Sequence, residues 1–317
     1  MITGVRCGHG NSVAGSSHWR SSANRIRSAA VRGGRGQGRR DDAVRRGGRG
    51  ARAASLWAGD RLLAAVEPSV GYGGSDTVPE VFRASLDPLA LLTAAAAVTT
   101  RVQLGTSTLN APWYPPAVLA RHALTVDRVS GGRLLLGLGT GWSPEEYAAV
   151  GVPMAERGDR LDEALDVLDT WWNDDPVAHD GPTATIAPSH VRVKPHGIPV
   201  YLAGWAPRAR RRIARRADGF LPVVTPGVRD LDAAVARPWA ELRAAAAEAG
   251  RDPAAIGAVL RVNLPPGSTV ADAASTLCRV RDETEVPHAF VDLMYLPGAA
   301  AGGGAALRVA EEVLAAV

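Results

Sequence analysis

The stretch Arg133-Leu-Leu-Leu-Gly-Leu-Gly-Thr-Gly-Trp-Ser-Pro-Glu-Glu146 reads, in order, as a buried strand, a glycine-rich turn and a helix start. Leu134, Leu135, Leu136 and Leu138 give the nearly continuous apolar run of a strand covered on both faces, as in a parallel sheet. Gly137, Gly139 and Gly141 let backbone approach backbone or ligand closely. Ser143 can cap the next helix, Pro144 suits its first position, and Glu146 can complete a capping box. A parallel strand ending beside a helix N-terminus is where α/β enzymes hold flat or phosphorylated cofactors. In isolation, a tight connection that binds nothing would read the same way. Recurrence decides.

The pattern does recur. Strands are expected near residues 55, 103, 134, 200, 220, 259 and 289, with helices between them. Asp87-Pro88 opens one helix, and Gly131-Gly132 closes the helix that begins near Pro116. Residues 156–172, 207–217, 229–249, 270–282 and 304–316 read as further helices. Residues 67–80 form a long loop, and residues 173–199 are irregular, with short strands at Thr183–Ile186 and Val191–Lys194. Seven strands alternating with helices point to a (β/α)8 TIM-type barrel whose first strand–helix unit is missing or replaced by residues 1–52. On this reading no strand of ordinary length stands between the second and the eighth.

Composition breaks at the same place. Residues 1–52 hold twelve Arg against two acids and eleven Gly, with no Leu, Phe or Tyr, so the rest of the chain is net acidic beneath a formal charge of +4. Three readings compete: an arginine–glycine nucleic-acid arm, a disordered leader, or a stretch that is not the natural reading of its gene. The 35 Arg against a single Lys fit GC-rich coding, a shifted frame of which yields mostly Arg, Gly, Ala and Ser, and this favours the third. Residues 1–52 are therefore expected as an irregular segment, and 53–317 as the barrel domain. Cys7 and Cys278 are too far apart for a metal site, and a reducing compartment follows. The longest apolar run, Leu89 to Val98, cannot cross a bilayer, and residues 1–30 lack a signal-peptide core, so the expected location is cytoplasmic.

Several segments together resemble the luciferase-like monooxygenase superfamily, within it the actinobacterial oxidoreductases that use coenzyme F420. They are Ser55-Leu-Trp-Ala-Gly-Asp60, Arg101-Val-Gln-Leu-Gly-Thr-Ser107, Leu124 to Trp142, Gly151 to Glu163, Pro199-Val-Tyr-Leu-Ala-Gly204 and Ala217-Asp-Gly-Phe220. The resemblance implies that Asp60 lies against a deazaflavin ring and is the candidate catalytic residue. Related enzymes often carry His after this Asp, where this chain has Arg61. Ser107-Thr108 matches a non-proline cis peptide behind the ring, and Asn110 the ring edge. Thr140, Gly141 and Trp142 stand where several relatives have Thr-Gly-Glu. Ala203, Gly204 and Trp205 precede the helix of a phosphate cradle, with Arg208 in its first turn.

From the residues themselves, Trp113, Trp142 and Trp205 sit just beyond strand ends and suit an aromatic pocket, whereas Trp57 reads as packing. Asp127, Arg133 and Arg160 read as structural charges, and the isolated histidines as non-ligands. The basic helix from Arg208 to Arg216 reads as a solvated face. The expected function is hydride transfer between F420 and a small organic substrate. An FMN-dependent monooxygenase is the alternative, and a barrel without catalytic competence is the alternative from another class. No metal, nucleic acid or membrane partner is expected, and a homodimer is the assembly left open.

Overall fold

The computed structural model describes the backbone of residues 2–6, and residues 53–296 and 303–317. The main sheet runs in a circuit. β2 (Ser55–Ala58) pairs in parallel with β3 (Gln103–Thr106), β3 with β5 (Leu134–Gly139), β5 with β8 (Val200–Leu202), and β8 with β9 (Gly219–Phe220). The short β4 (Leu109–Asn110) also pairs with β5. Beyond β8 the strands are interrupted. β9 pairs with β11 (Gly257–Ala258), and β10 (Val223–Val224) with β12 (Leu260–Asn263), which pairs with β13 (His288–Asp292).

The first position of the circuit is filled, which corrects the expectation that no ordinary strand would stand there. β1 (Ile2–Arg6) pairs with both β13 and β2, and it does so antiparallel. The β-branched residues Ile2, Thr3 and Val5 favour such a strand, a signal too short to outweigh the arginine–glycine sequence around it. The chain thus enters this position from the opposite end to its neighbours. The readings of residues 7–52, including a residual helix at Asp41 to Val44, lie outside the described residues.

How far the sheet curls is shown by its inner side chains. Trp57, Leu135 and Phe290 of three strands, with Leu221 and Val259 from the interruptions between β9 and β10 and between β11 and β12, pack as one cluster, with Trp57 stacked on Phe290 at 4.3 Å. Only a sheet bent round on itself brings these residues together. The Trp57 indole N–H donates to Ser55 Oγ at 2.8 Å, and that hydroxyl lies 2.8 Å from His288 Nε2. Trp57 is a packing residue, as its sequence context suggests. All six residues of β5 are buried, as the leucine run predicts. Gly137 is required there, because a Cβ would stand 1.9 Å from the Thr106 carbonyl oxygen.

Helices cover the outer face: α1 (Pro88–Val98), α2 (Pro116–Ser130), α3 (Pro144–Ala149), α4 (Arg157–Asn173), α5 (Pro207–Arg216), α6 (Arg237–Glu248), α7 (Val270–Glu283) and α8 (Gly303–Ala315). Asp87 caps α1 by accepting from the Ala90 N–H at 2.6 Å, and α2 ends on Gly131 at φ 74°. Arg133 ties strand to helix, donating to the carbonyls of Ala96 (3.1 Å), Thr99 (2.8 Å) and Val102 (2.8 Å). Two of these are orphan acceptors at the end of α1, which explains a charged residue at the start of a buried strand. A hairpin of β6 (Val177–Asp180) and β7 (Thr185–Ser189) precedes β8. Val191–Lys194 forms no strand, correcting the reading there.

The basic helix is a third correction. Arg208, Arg212 and Arg216 of α5 face Asp159, Asp162 and Asp166 of α4, with contacts of 2.9 Å from Arg212 to Asp162 and 2.6 Å from Arg216 to Asp166. The four-residue spacing puts the arginines on one helical face and the aspartates opposite them. What reads as a solvated stripe is a helix–helix seam. Among the described residues, no helix is long and apolar enough to cross a membrane.

Candidate active site

At the C-terminal ends of β2, β3 and β5 the structure gathers most of the residues singled out from sequence. The Ser107–Thr108 peptide bond is cis, as the resemblance implies. It separates β3 from β4, and the Ser107 N–H donates to Ala58 O at 2.9 Å. Thr108 lies against Gly139, where a Cβ would come within 2.6 Å of Thr108 Oγ1. Asn110 is buried and donates its backbone N–H to Asp60 Oδ2 at 2.8 Å and its side-chain amide to Asp60 O at 3.3 Å. Gly141, at φ 64°, packs beside Asn110 and Trp113.

Asp60 is the electrostatic centre of this group. Burial pushes its carboxyl up from the ordinary range to about 6. The Asn110 amide opposes the shift and the Glu146 carboxylate adds to it. Tyr114 OH donates weakly from 3.4 Å, and burial together with the Asp60 charge pushes this phenol upward, so it stays a donor. A carboxyl at about 6 exchanges its proton near neutral pH, which general acid–base chemistry requires.

The two departures from the family pattern meet in space. The Arg61 guanidinium lies 4.7 Å over the Trp142 ring and 5.2 Å over Phe82, and it pairs with the fully buried Glu146. Glu146 also accepts from the N–H groups of Leu62 (2.8 Å) and Leu63 (3.4 Å). Its carboxylate therefore anchors the loop after β2 and does not close the capping box expected from sequence. Ser143 still caps α3 alone, accepting from the Glu146 N–H. Burial drives Arg61 down and Glu146 up, and each is the main charge offsetting that cost for the other. Tyr72 completes the cover, 5.7 Å from Trp142 and edge-on to Phe82 at 4.9 Å.

The remaining sequence candidates follow β5 and β8. Thr140 presents its carbonyl to Tyr147 OH. The Ala203 N–H donates to Leu138 O at 3.2 Å, and Trp205, 48% exposed, meets Phe220 edge-on. Gly204 has φ 146°, and a Cβ there would fall 2.6 Å from that of Ala209. Substitution at Gly204 therefore disturbs the fold as well as any cradle. The Arg208 side chain pairs with Asp159 and Asp162 of α4. Sequence reasoning missed Tyr72, Phe82, Tyr114 and the polar pair Arg261 and Asn263. Only the last had a clear signal, because Leu260-Arg-Val-Asn263 alternates polar with apolar in an otherwise buried strand. A separate cleft of about 730 Å³ opens at the start of β8 and β11, lined by Trp172, Tyr201, Asp218 and Arg251 among others.

The curled parallel sheet thus carries a half-buried carboxyl, Asp60, at the C-terminal end of β2. The chain belongs to the luciferase-like monooxygenase family, whose model matches residues 28–309. A Mycobacterium tuberculosis (strain ATCC 25618 / H37Rv) protein of uncharacterised function is 34% identical over 184 residues, 57% of this chain and 63% of that protein. F420-dependent glucose-6-phosphate dehydrogenase of Nocardia farcinica (strain IFM 10152) is 36% identical over 139 residues, 42% of this chain and 41% of the relative. The chain thus matches less than two thirds of the length of these relatives. Among solved structures, an F420-dependent secondary alcohol dehydrogenase in complex with an F420–acetone adduct superposes with a TM-score of 0.53 at 22% identity, covering 72% of this chain and 64% of the other. Long-chain alkane monooxygenase (LadA) gives 0.56 at 20% identity, covering 71% and 57%. At such identities these two likenesses speak to the fold alone.

Proposed function

We propose that this protein is an oxidoreductase that holds coenzyme F420 at the mouth of an eight-position barrel, with Asp60 as its proton-handling residue. The observation that carries the reading is the half-buried Asp60 carboxyl, raised to about 6 and held by the Asn110 N–H at the C-terminal ends of β2 and β3. The residues present suit a planar ring. Gly139 and Gly141 bring backbone close to Thr108 and Asn110, and the Trp113 indole N–H is buried without a partner, a donor free for a ring carbonyl. When bound, the deazaflavin would accept or supply the hydride. Ser107 and Thr108 would back the ring, Asn110, Thr140, Gly141 and Trp142 would border it, and Ala203, Gly204 and Trp205 would face its tail.

The proton assignment follows from what replaces the usual partners. Arg61 and Trp142 stack on each other, and Arg61 is bound to Glu146, so neither donates or accepts a proton readily near pH 7. Asp60 remains as the group with a suitable ionisation. Protonated below about 6, it gives a proton to the oxygen of a substrate being reduced. Ionised above that value, it takes one from a substrate being oxidised. Use of FMN is the second reading, since the family model does not separate the two cofactors. Titrating the full chain separately with F420 and FMN, following ring fluorescence, tests the choice. Saturable F420 binding at least tenfold tighter than FMN is expected. Tighter FMN binding with oxygen-dependent turnover would contradict it.

A further inference from the structure

The end of β12 carries two polar atoms that are buried and have no partner, Arg261 Nε and Asn263 Oδ1. The two residues are separated by the buried Val262, so they project from one face of the strand. Arg261 is held at both ends: one Nη pairs with Asp292 of β13, and the other donates to Ser107 O at 3.3 Å. Its guanidinium plane is thereby fixed, and Nε is the one guanidinium nitrogen left buried without a partner. Asn263 donates Nδ2 to Tyr72 OH at 3.3 Å, leaving its carbonyl oxygen as the uncommitted acceptor. Leaving buried donors and acceptors unmatched costs stability, and native proteins seldom do so without a use for them. Tyr72, on the loop after β2, meets Asn263 from that side.

We propose that Arg261 and Asn263 form a recognition subsite for an amide edge, a carbonyl oxygen beside an N–H. The ligand carbonyl accepts from Arg261 Nε–H and the ligand N–H donates to Asn263 Oδ1. A carboxylate satisfies only half of this pair, and the Arg261 charge is already matched by Asp292. A ketone likewise leaves Asn263 Oδ1 unmatched. Two sources carry the chemistry: the pyrimidine edge of a deazaflavin or flavin ring, and a lactam or carboxamide substrate. The inference stands on the strand geometry and deepens the functional reading only in naming what the mouth recognises.

The test is a ligand-observed NMR titration of the full chain with 2-piperidone, N-methyl-2-piperidone and cyclohexanone. The lactam is expected to bind at least tenfold more tightly than the other two, and Asn263→Leu to abolish that preference while melting near the wild-type temperature. Retention of the preference in Asn263→Leu would overturn the proposal, as would equal binding of all three probes by the wild-type chain, a comparison that needs no variant to fold. Repeating the titration with saturating F420 separates the sources. Loss of lactam binding assigns the subsite to the cofactor edge, and persistence assigns it to the substrate. Should F420 fail to bind while the lactam preference holds, the deazaflavin reading falls and this subsite remains.

Discussion

Asp60→Asn is expected to slow deazaflavin turnover at least 100-fold, the low end of what a general acid–base residue contributes, while making the folded protein more stable above pH 6. The stability gain has a definite sign. The folded carboxyl ionises near 6 against 3.8 for the ordinary group, so the unfolded chain loses its proton first as pH rises. Stability linked to Asp60 is complete below 3.8 and is lost as pH climbs through 6, about 3 kcal/mol in all. Asparagine keeps the shape without the ionisation. Urea unfolding should therefore show no gain for the variant at pH 3.5 and the full gain at pH 8. For the wild type, activity should inflect near 6, falling above it for substrate reduction and rising above it for substrate oxidation. An inflection unchanged in Asp60→Asn would assign the proton to another group.

Arg61→Leu is expected to destabilise the fold by about 3 kcal/mol at pH 7.5, because it strands the fully buried Glu146 carboxylate. The loss should shrink towards pH 5. Without Arg61 the Glu146 carboxyl, already pushed up by burial, takes a proton more easily and sheds the unpaired charge. Adding Glu146→Gln should restore most of the stability, since the amide oxygen can still accept from Leu62 and Leu63. A double-mutant cycle by urea unfolding reads this coupling directly. Additive losses would mean that Arg61 matters through its stacking on Trp142 and Phe82 alone.

Much of the scaffold is legible in the chain because each strand is an apolar run ending at a glycine or polar residue. The leucines of β5, the Asp87-Pro88 start of α1 and the Gly131 stop of α2 are local signals that tertiary packing reinforces. β1 is not legible, because five residues in an arginine–glycine context carry too little pattern, and its antiparallel entry follows no βαβ rule. The site divides in the same way. Asp60, Asn110 and the cis bond fall on strand ends whose position the motifs mark. The partners of Arg61 and Arg208 depend on pairings across 85 and 49 residues of sequence, which no local pattern reports. Glu146 shows the difficulty: its spacing from Ser143 fits a capping box, but the half-buried Arg61 competes for the same carboxylate and wins.

A crystal structure of the full chain soaked with F420 tests the central claim most directly. The account predicts the deazaflavin ring at the C-terminal ends of β2, β3 and β5, backed by Ser107 and Thr108, with Asp60 within hydrogen-bonding reach of the reacting centre. A ring lodged at the opposite end of the sheet, in the cleft lined by Trp172, Tyr201, Asp218 and Arg251, would contradict it.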